Sequence, residues 1–279
     1  MPNYNRSVRK LRKAVSQIVM RISIAAALML TVPLAAAQEI VTLATREGVT
    51  QSFLFLAPAQ TAAVAVLFAG SYGTLKLRRE DGEIKFGDGN FLVRSRQLFV
   101  DGGIAVAIID TPSDQAQGMD DRFRLGDQHA TDIAAVVAEL KKRFGNVPVY
   151  LVGTSRGSVS AAATGAALGG SVAGVVLTAT VYLAARSGPG LSGFDYSRIS
   201  APVLIVHHTE DACRYTPYRE ARKLGESRRY PLITVKGGLP ATSDPCEAFS
   251  AHGFLGKEPE TVGAIVNWIL KKPYRDNID

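Results

Sequence analysis

The stretch that decides the fold is "PVYLVGTSRGSVSAAATGAAL" (148–168). It opens with a short apolar run, "PVYLVG" (148–153), of the kind that forms a strand buried on both faces. It closes with a small-residue segment predicted to be a helix over 156–168. Between them stands "GTSRG" (153–157), a G-x-S-x-G pattern in the strand-to-helix setting that it requires. Such a turn puts Ser155 in a strained backbone conformation, with Gly153 and Gly157 removing side chains that would collide where strand and helix pass. The serine hydroxyl is then held out at the top of a sheet, and the helix start behind it offers free amides to negative charge. Composition alone makes the pattern weak, because the chain holds 26 Gly; its context carries it.

The flanking sequence supplies that context. Apolar runs recur at 62–70, 104–110, 172–179, 202–208 and 232–238, and 38–48 with 51–59 reads as an opening antiparallel pair. Helical patterns fall between them, near 91–101, 127–144, 216–225 and 259–272. The 127–144 segment has Ala130, Ile133, Ala134, Val137 and Leu140 at helical spacing, with Lys141, Lys142 and Arg143 before Gly145. This alternation predicts an α/β fold, a mostly parallel central sheet with helices on both faces. Ligands then bind at the carboxyl ends of the strands. Leu75, Leu77, Ile84 and Phe86 alternate with charged residues around Asp81-Gly82, so 74–89 is expected to form a small hairpin over the end of the 62–70 strand. The 20-odd residues between the runs at 172–179 and 202–208 are too few for a large lid domain.

Serine needs a base, and the chain has four histidines, His129, His207, His208 and His252. His129 lies upstream of Ser155, and His207 and His208 end a strand. His252 sits in an irregular loop, "SAHGFLG", before the last helix. "HHTEDAC" (207–213) offers Asp211 as the acid, with Glu210 its rival. The order Ser155, Asp211, His252 is the order of one known fold. His207 and His208 with Asp211 could be imagined as metal ligands, yet no H-E-x-x-H or C-x-x-C spacing is present. Neither a metal nor an organic cofactor is expected. Arg94 and Arg96 read as a solvated helix face, or else as a frame for an anionic substrate group. Asp110, Asp114, Asp120 and Asp121 read as turn formers.

Taken together, these segments resemble the α/β-hydrolase superfamily, from about residue 50 to 272. "VLIVHHTEDAC" is similar to its strand-then-acid segment, often H-G-x-x-D, with His208 where glycine is usual. "SAHGF" resembles its histidine loop. "LFAGSYG" (67–73) resembles the oxyanion segment after the third strand, often H-G-x, with Ala69 in place of the histidine. The resemblance implies a serine hydrolase with the triad Ser155, Asp211 and His252, and an oxyanion held by the amides of Ser71 and Arg156, Tyr72 being the second choice for the first. The small-substrate, dienelactone-hydrolase-like branch matches by size and layout, and the partner expected is a small ester. A peptidase or acyltransferase of the same fold, or a catalytically idle binding module, are the rival readings. Cys213 lies two residues past the acid and Cys246 six before the base. In such a fold those loops must be close, so a bridge between them is expected.

The net charge of +7 suggests nucleic acid until its location is considered. Arg6, Arg9, Lys10, Arg12, Lys13 and Arg21 lie in the first 21 residues, and no acid occurs before Glu39. The rest is nearly neutral, so no nucleic-acid partner is expected. The basic start, the apolar run "ISIAAALMLTVPL" (22–34) and Ala35-Ala36-Ala37 describe a secretory signal peptide cleaved after Ala37. The run is too short for a spanning helix, and no twin arginine is present. The expectation is a single domain over 38–279 in the periplasm or outside the cell, with no membrane span after cleavage. Oligomeric state is not legible.

Overall fold

The computed structural model describes residues 38–279; the expected signal segment, 1–37, lies outside the described residues. A nine-stranded sheet organises the chain. Strands β1 (Glu39–Arg46) and β2 (Val49–Leu56) form the antiparallel opening pair, and β2 runs antiparallel to β6 (Ile104–Ile109). From there on neighbours are parallel: β6, β3 (Ala63–Phe68), β7 (Val149–Thr154), β8 (Gly174–Thr178), β9 (Val203–His208), β10 (Leu232–Val235) and β11 (Asn277–Ile278). This is the mostly parallel sheet that the sequence predicts.

Every residue of β3, β6, β7 and β9 is buried, and alternation sends successive side chains to opposite faces. Ala63, Ala65 and Leu67 pack with Phe91, Phe99, Val262 and Ile265 on one face. Val64, Val66 and Phe68 pack with Ile133, Val137 and Val159 on the other. The first face is covered by helices α1 (Phe91–Arg94), α2 (Arg96–Asp101) and α7 (Glu258–Ile269). The second is covered by α4 (Asp127–Phe144), α5 (Gly157–Leu168) and α6 (Tyr218–Arg228).

Strand β3 lies between β6 and β7, so the chain leaves it toward one edge and later returns on its other side. At such a reversal the connections diverge and leave a crevice beyond the strand ends. The segment after β3, with Gly70 and Ser71, and Ser155 after β7 line one cavity there. Between β8 and β9 there is only loop and one short turn of helix at Tyr196–Arg198, so no lid domain intervenes.

Several expectations need correcting. The 91–101 helix is two helices, because the chain bends at Ser95, the residue shared as cap by both. Asp120 and Asp121 do not form a simple turn. Asp120 caps a further helix, α3 (Asp121–Leu125), by accepting the amide of Phe123. Asp110 is buried, and its carboxylate accepts the amides of Leu75, Leu77 and Thr111 at 2.7, 2.9 and 2.8 Å. It thereby ties down the base of the hairpin, whose strands β4 (Arg78–Glu80) and β5 (Glu83–Lys85) turn at Asp81-Gly82 with both residues at positive φ.

His129 is enclosed by the rings of Phe68 and Phe123, with both ring nitrogens buried and unpartnered. Burial first, then the charges of Arg124 and Arg46, push it down to about 3. The folded state therefore keeps His129 neutral where the unfolded chain, with a pKa of about 6.5, takes up a proton. Its contribution to stability is full above about pH 6.5 and falls as pH drops toward 3. Between pH 7 and pH 5 this one group costs about 2 kcal/mol. His129→Leu is expected to reduce by that amount the loss of unfolding free energy between those pH values, measured with urea. An unchanged loss refutes the assignment.

Candidate active site

Ser155 follows β7 at φ +51°, in the left-handed region. Its amide donates to the Thr178 carbonyl (3.0 Å), and its carbonyl accepts the Ser158 amide (2.9 Å) and hydroxyl (2.6 Å). These bonds hold a conformation that costs of order 1–3 kcal/mol. The two glycines of the motif answer to backbone. A Cβ on Gly153 would stand 2.2 Å from the Gly157 carbonyl oxygen, and one on Gly157 would stand 2.0 Å from the carbonyl oxygen of Phe68. The elbow is thus wedged against the end of β3 with no room for any side chain.

Past the end of β3, Gly70 and Gly73 close a tight turn, Gly73 N–H donating to the Gly70 carbonyl (3.0 Å). Ser71 sits at its first corner at φ +51°. Arg124, fully buried on α3, reaches from behind, donating to the Ser71 carbonyl (3.2 Å) and to Ser160 Oγ (2.7 Å). Burial and then the charge of Arg156 push this guanidinium down to about 9, against the opposing pull of Asp121 and Asp120. It remains cationic at neutral pH. Ser71 lines the cavity beside Ser155, whereas Tyr72 turns its ring outward, under the Arg156 guanidinium. Among the described residues, neither the Ser71 nor the Arg156 amide donates to another protein group.

The expected acid and base meet directly. Asp211, past the end of β9, accepts from His252 Nδ1 at 2.9 Å through Oδ2. The same oxygen accepts the Thr216 hydroxyl (2.8 Å), and Oδ1 accepts the Cys213 amide (2.9 Å). Burial opposes charge on Asp211, but the His252 hydrogen bond and charge, with His207 and the Cys213 amide, outweigh it, so the carboxyl stays below its ordinary range. Glu210, the rival acid, is exposed. His252 is carried on a short turn, Ala251–Gly253, capped by Ser250 Oγ, and Phe254 plugs the core behind it against Phe91. His252 Nε2 is buried with no hydrogen-bond partner. His252 and Ser155 line one cavity of about 420 Å³. No hydrogen bond joins Ser155 Oγ to His252 Nε2 in this structure; such contacts commonly tighten only when substrate is bound.

The expectations for Arg94 and Arg96 are revised. Arg94 is neither a solvated face nor a substrate frame. It donates to the Gly253 carbonyl (2.6 Å) and the Gly89 carbonyl (2.8 Å) and pairs with Glu258 (2.8 Å), clasping α1 to the histidine loop. Arg96 donates to the Val93 carbonyl and stacks on Phe86. Arg156 spends its side chain on buried Asp121 (2.8 Å), whose other oxygen accepts the Gly190 amide (2.9 Å). None of these three lines the cavity that holds Ser155 and His252. His207 is buried and stacked on Tyr182, and burial pushes it down to about 4; His208 Nε2 bonds the Gly237 carbonyl. Among the described residues no cluster of His, Cys, Asp or Glu could hold a metal ion. Thr216, Arg124 and Asp121 carry no local sequence signal, because each acts on a partner distant in sequence.

No protein-family model matches the chain, and no curated protein matches it in sequence. Solved structures do. A cold-adapted esterase from an Arctic intertidal metagenomic library superimposes with a TM-score of 0.58 at 16% identity, covering 86% of this chain and 95% of its own. A lid-less α/β serine hydrolase from Xanthomonas campestris gives 0.54 at 13%, covering 83% and 95%. A dienelactone hydrolase from Anabaena variabilis gives 0.50 at 14%, covering 85% and 96%. The fold is that of the α/β hydrolases.

Cys213 and Cys246 are bridged, 33 residues apart, joining the acid loop to the segment before His252. Closing that loop stabilises by roughly 3–4 kcal/mol in the chain-entropy view. The double variant Cys213→Ser, Cys246→Ser is expected to lose that much unfolding free energy in urea. A loss under about 1 kcal/mol refutes a constraining role.

Proposed function

We propose that this chain is an exported serine hydrolase that cleaves small, water-soluble esters through Ser155, His252 and Asp211. The observation that carries the reading is the 2.9 Å bond from His252 Nδ1 to a buried, ionised Asp211, with the opposite ring nitrogen, Nε2, unpartnered at the cavity that Ser155 lines. Asp211 fixes the tautomer in which Nδ1 carries the proton and Nε2 is free to accept one, and it stabilises the imidazolium formed later.

Ser155 Oγ attacks the ester carbonyl carbon while its proton passes to His252 Nε2. The carbonyl oxygen becomes an oxyanion held by the amides of Ser71 and Arg156. Collapse breaks the bond to the leaving alkoxide, which takes the proton from Nε2. Water, deprotonated by His252, attacks the acyl-enzyme by the same route and returns Ser155 with a free acid. Each oxyanion amide contributes about 3–4 kcal/mol to lowering the barrier. The chemistry draws on side chains and backbone alone, and the fold shared with esterases agrees with it.

Small substrates fit the absence of a lid between β8 and β9 and the size of the cavity. The hairpin legs supply one wall, with Thr74, Leu75, Gly87 and Gly89 lining it. Export agrees with the bridge between Cys213 and Cys246 and with the absence, among the described residues, of any helix long and apolar enough to cross a membrane.

Ser155→Ala is expected to lower hydrolysis of p-nitrophenyl acetate by about 10⁴-fold or more, with circular dichroism and melting unchanged, and Asp211→Asn by about 10⁴-fold. A fluorophosphonate should label the parent at Ser155 and not the Ser155→Ala variant. Parental activity in Ser155→Ala overturns the assignment. A folded parent that neither turns over esters nor takes the label favours a binding module instead.

A further inference from the structure

Asn90 lines the same cavity as Ser155 and His252 and has no part in the triad. It is the N-cap of α1, and its Oδ1 accepts the Leu92 amide at 3.1 Å. That bond fixes the orientation of the side chain: oxygen toward the helix, Nδ2 away from it. Nδ2 donates to no group among the described residues, and it is not sealed from the cavity. Its place follows from Gly70. A Cβ on Gly70 would meet Ser155 Cβ at 3.0 Å and Asn90 Nδ2 at 3.3 Å, so the two are no farther apart than the sum of those distances. Gly70 also precedes Ser71, which lines the same cavity.

Asn90 is held there from two directions. Phe91, the next residue, packs on Phe254 of the histidine loop, with ring centroids 4.8 Å apart. Arg94, one turn on, donates to the carbonyl of Gly253 beside His252. These contacts tie the cap to the histidine loop.

Resting on the serine-hydrolase reading, we propose that Asn90 is a further catalytic residue, whose Nδ2 donates to the substrate carbonyl oxygen as that oxygen becomes an oxyanion on Ser155. The residue type fits this double task. Aspartate caps the helix as well but keeps no donor, and serine's hydroxyl, one bond shorter, carries no donor out to the place of Nδ2. A preorganised donor at a developing charge acts mainly on the barrier rather than on ground-state binding.

The variants N90S and N90D separate the two tasks, because both preserve the cap. With p-nitrophenyl acetate, N90S is expected to lose about 100-fold in kcat with KM changed less than about threefold, and N90D to lose more, since its charge opposes the oxyanion. Melting temperatures should stay at the parental value. The inhibition constant of an alkyl trifluoromethyl ketone, whose Ser155 adduct carries an oxyanion, should rise in N90S by the same factor as kcat/KM falls. Parental kcat in folded N90S and N90D, or an unchanged ketone constant in N90S, overturns the proposal and leaves Asn90 a cap. The Ser155→Ala variant is assayed alongside. If it stays active, the hydrolase reading itself fails; if it is dead while N90S is parental, only the role of Asn90 fails.

Discussion

The site depends on a contact between backbones with no side chain between them. Gly157, at the start of α5, stands so close to the Phe68 carbonyl at the end of β3 that a single methyl group would drive the two apart. The Gly153 contact with Gly157 does the same between β7 and the helix that follows it. These contacts fix the spacing of Ser155 from the Ser71 turn, because each is within three residues of the wedge. In the proposed reaction, displacement of even 1 Å here would separate the serine from the donors that stabilise its adduct. The strain at Ser155 and at Ser71, both at φ +51°, persists because these contacts and the bonds to Thr178 and Arg124 leave no relaxed alternative.

Charge is managed in two separate compartments around that wedge. On one side Asp211 is desolvated, yet stays ionised, because all its bonds come from donors: an imidazole, a hydroxyl and an amide. On the other side two guanidiniums and Asp121 lie beneath the Ser71 turn and the start of α5. A buried cation with one uncommitted nitrogen, Arg124 Nε, is expensive to keep. Its bond to the carbonyl of a left-handed serine gives a physical reason for its presence: it holds a turn that L-residues otherwise avoid.

The sequence made the sheet legible because both signals it uses are local. Continuous apolar runs mark strands buried on both faces, and the 127–144 helix was readable to the residue from its stripe, its basic last turn and Gly145. Ser155 was legible because its motif is contiguous; Asp211 and His252 because few candidates exist and chain order selects among them. What could not be read was every contact whose two ends lie far apart. Asp110, Asp121 and Arg94 look like turn or surface residues, and only the fold brings them against Leu75, Arg156 and Gly253. A buried ion pair leaves no periodicity, so charged residues in loop composition are read as solvated by default.

The open crevice imposes a division of labour on any substrate. With no lid between β8 and β9, water reaches the cavity mouth until the substrate itself covers it, and the donors there work in a low dielectric only while it does. A ligand that fills the space between the hairpin base and Phe249 therefore strengthens the interactions that turn it over, whereas a smaller one leaves them hydrated. The walls are uneven in a way that bears on this. Leu75, Phe91 and Phe249 offer apolar surface, while the hairpin legs contribute glycines at 87 and 89 and the far rim carries Glu247. Apolar groups of the substrate gain by lying toward the aromatic side. An anionic group gains nothing beside Glu247, and Arg94 and Arg156 are already committed to Glu258 and Asp121. On the proposed reading, the same commitments that fix the protein's own loops leave the apolar side of the cavity as the surface that a neutral ester would meet.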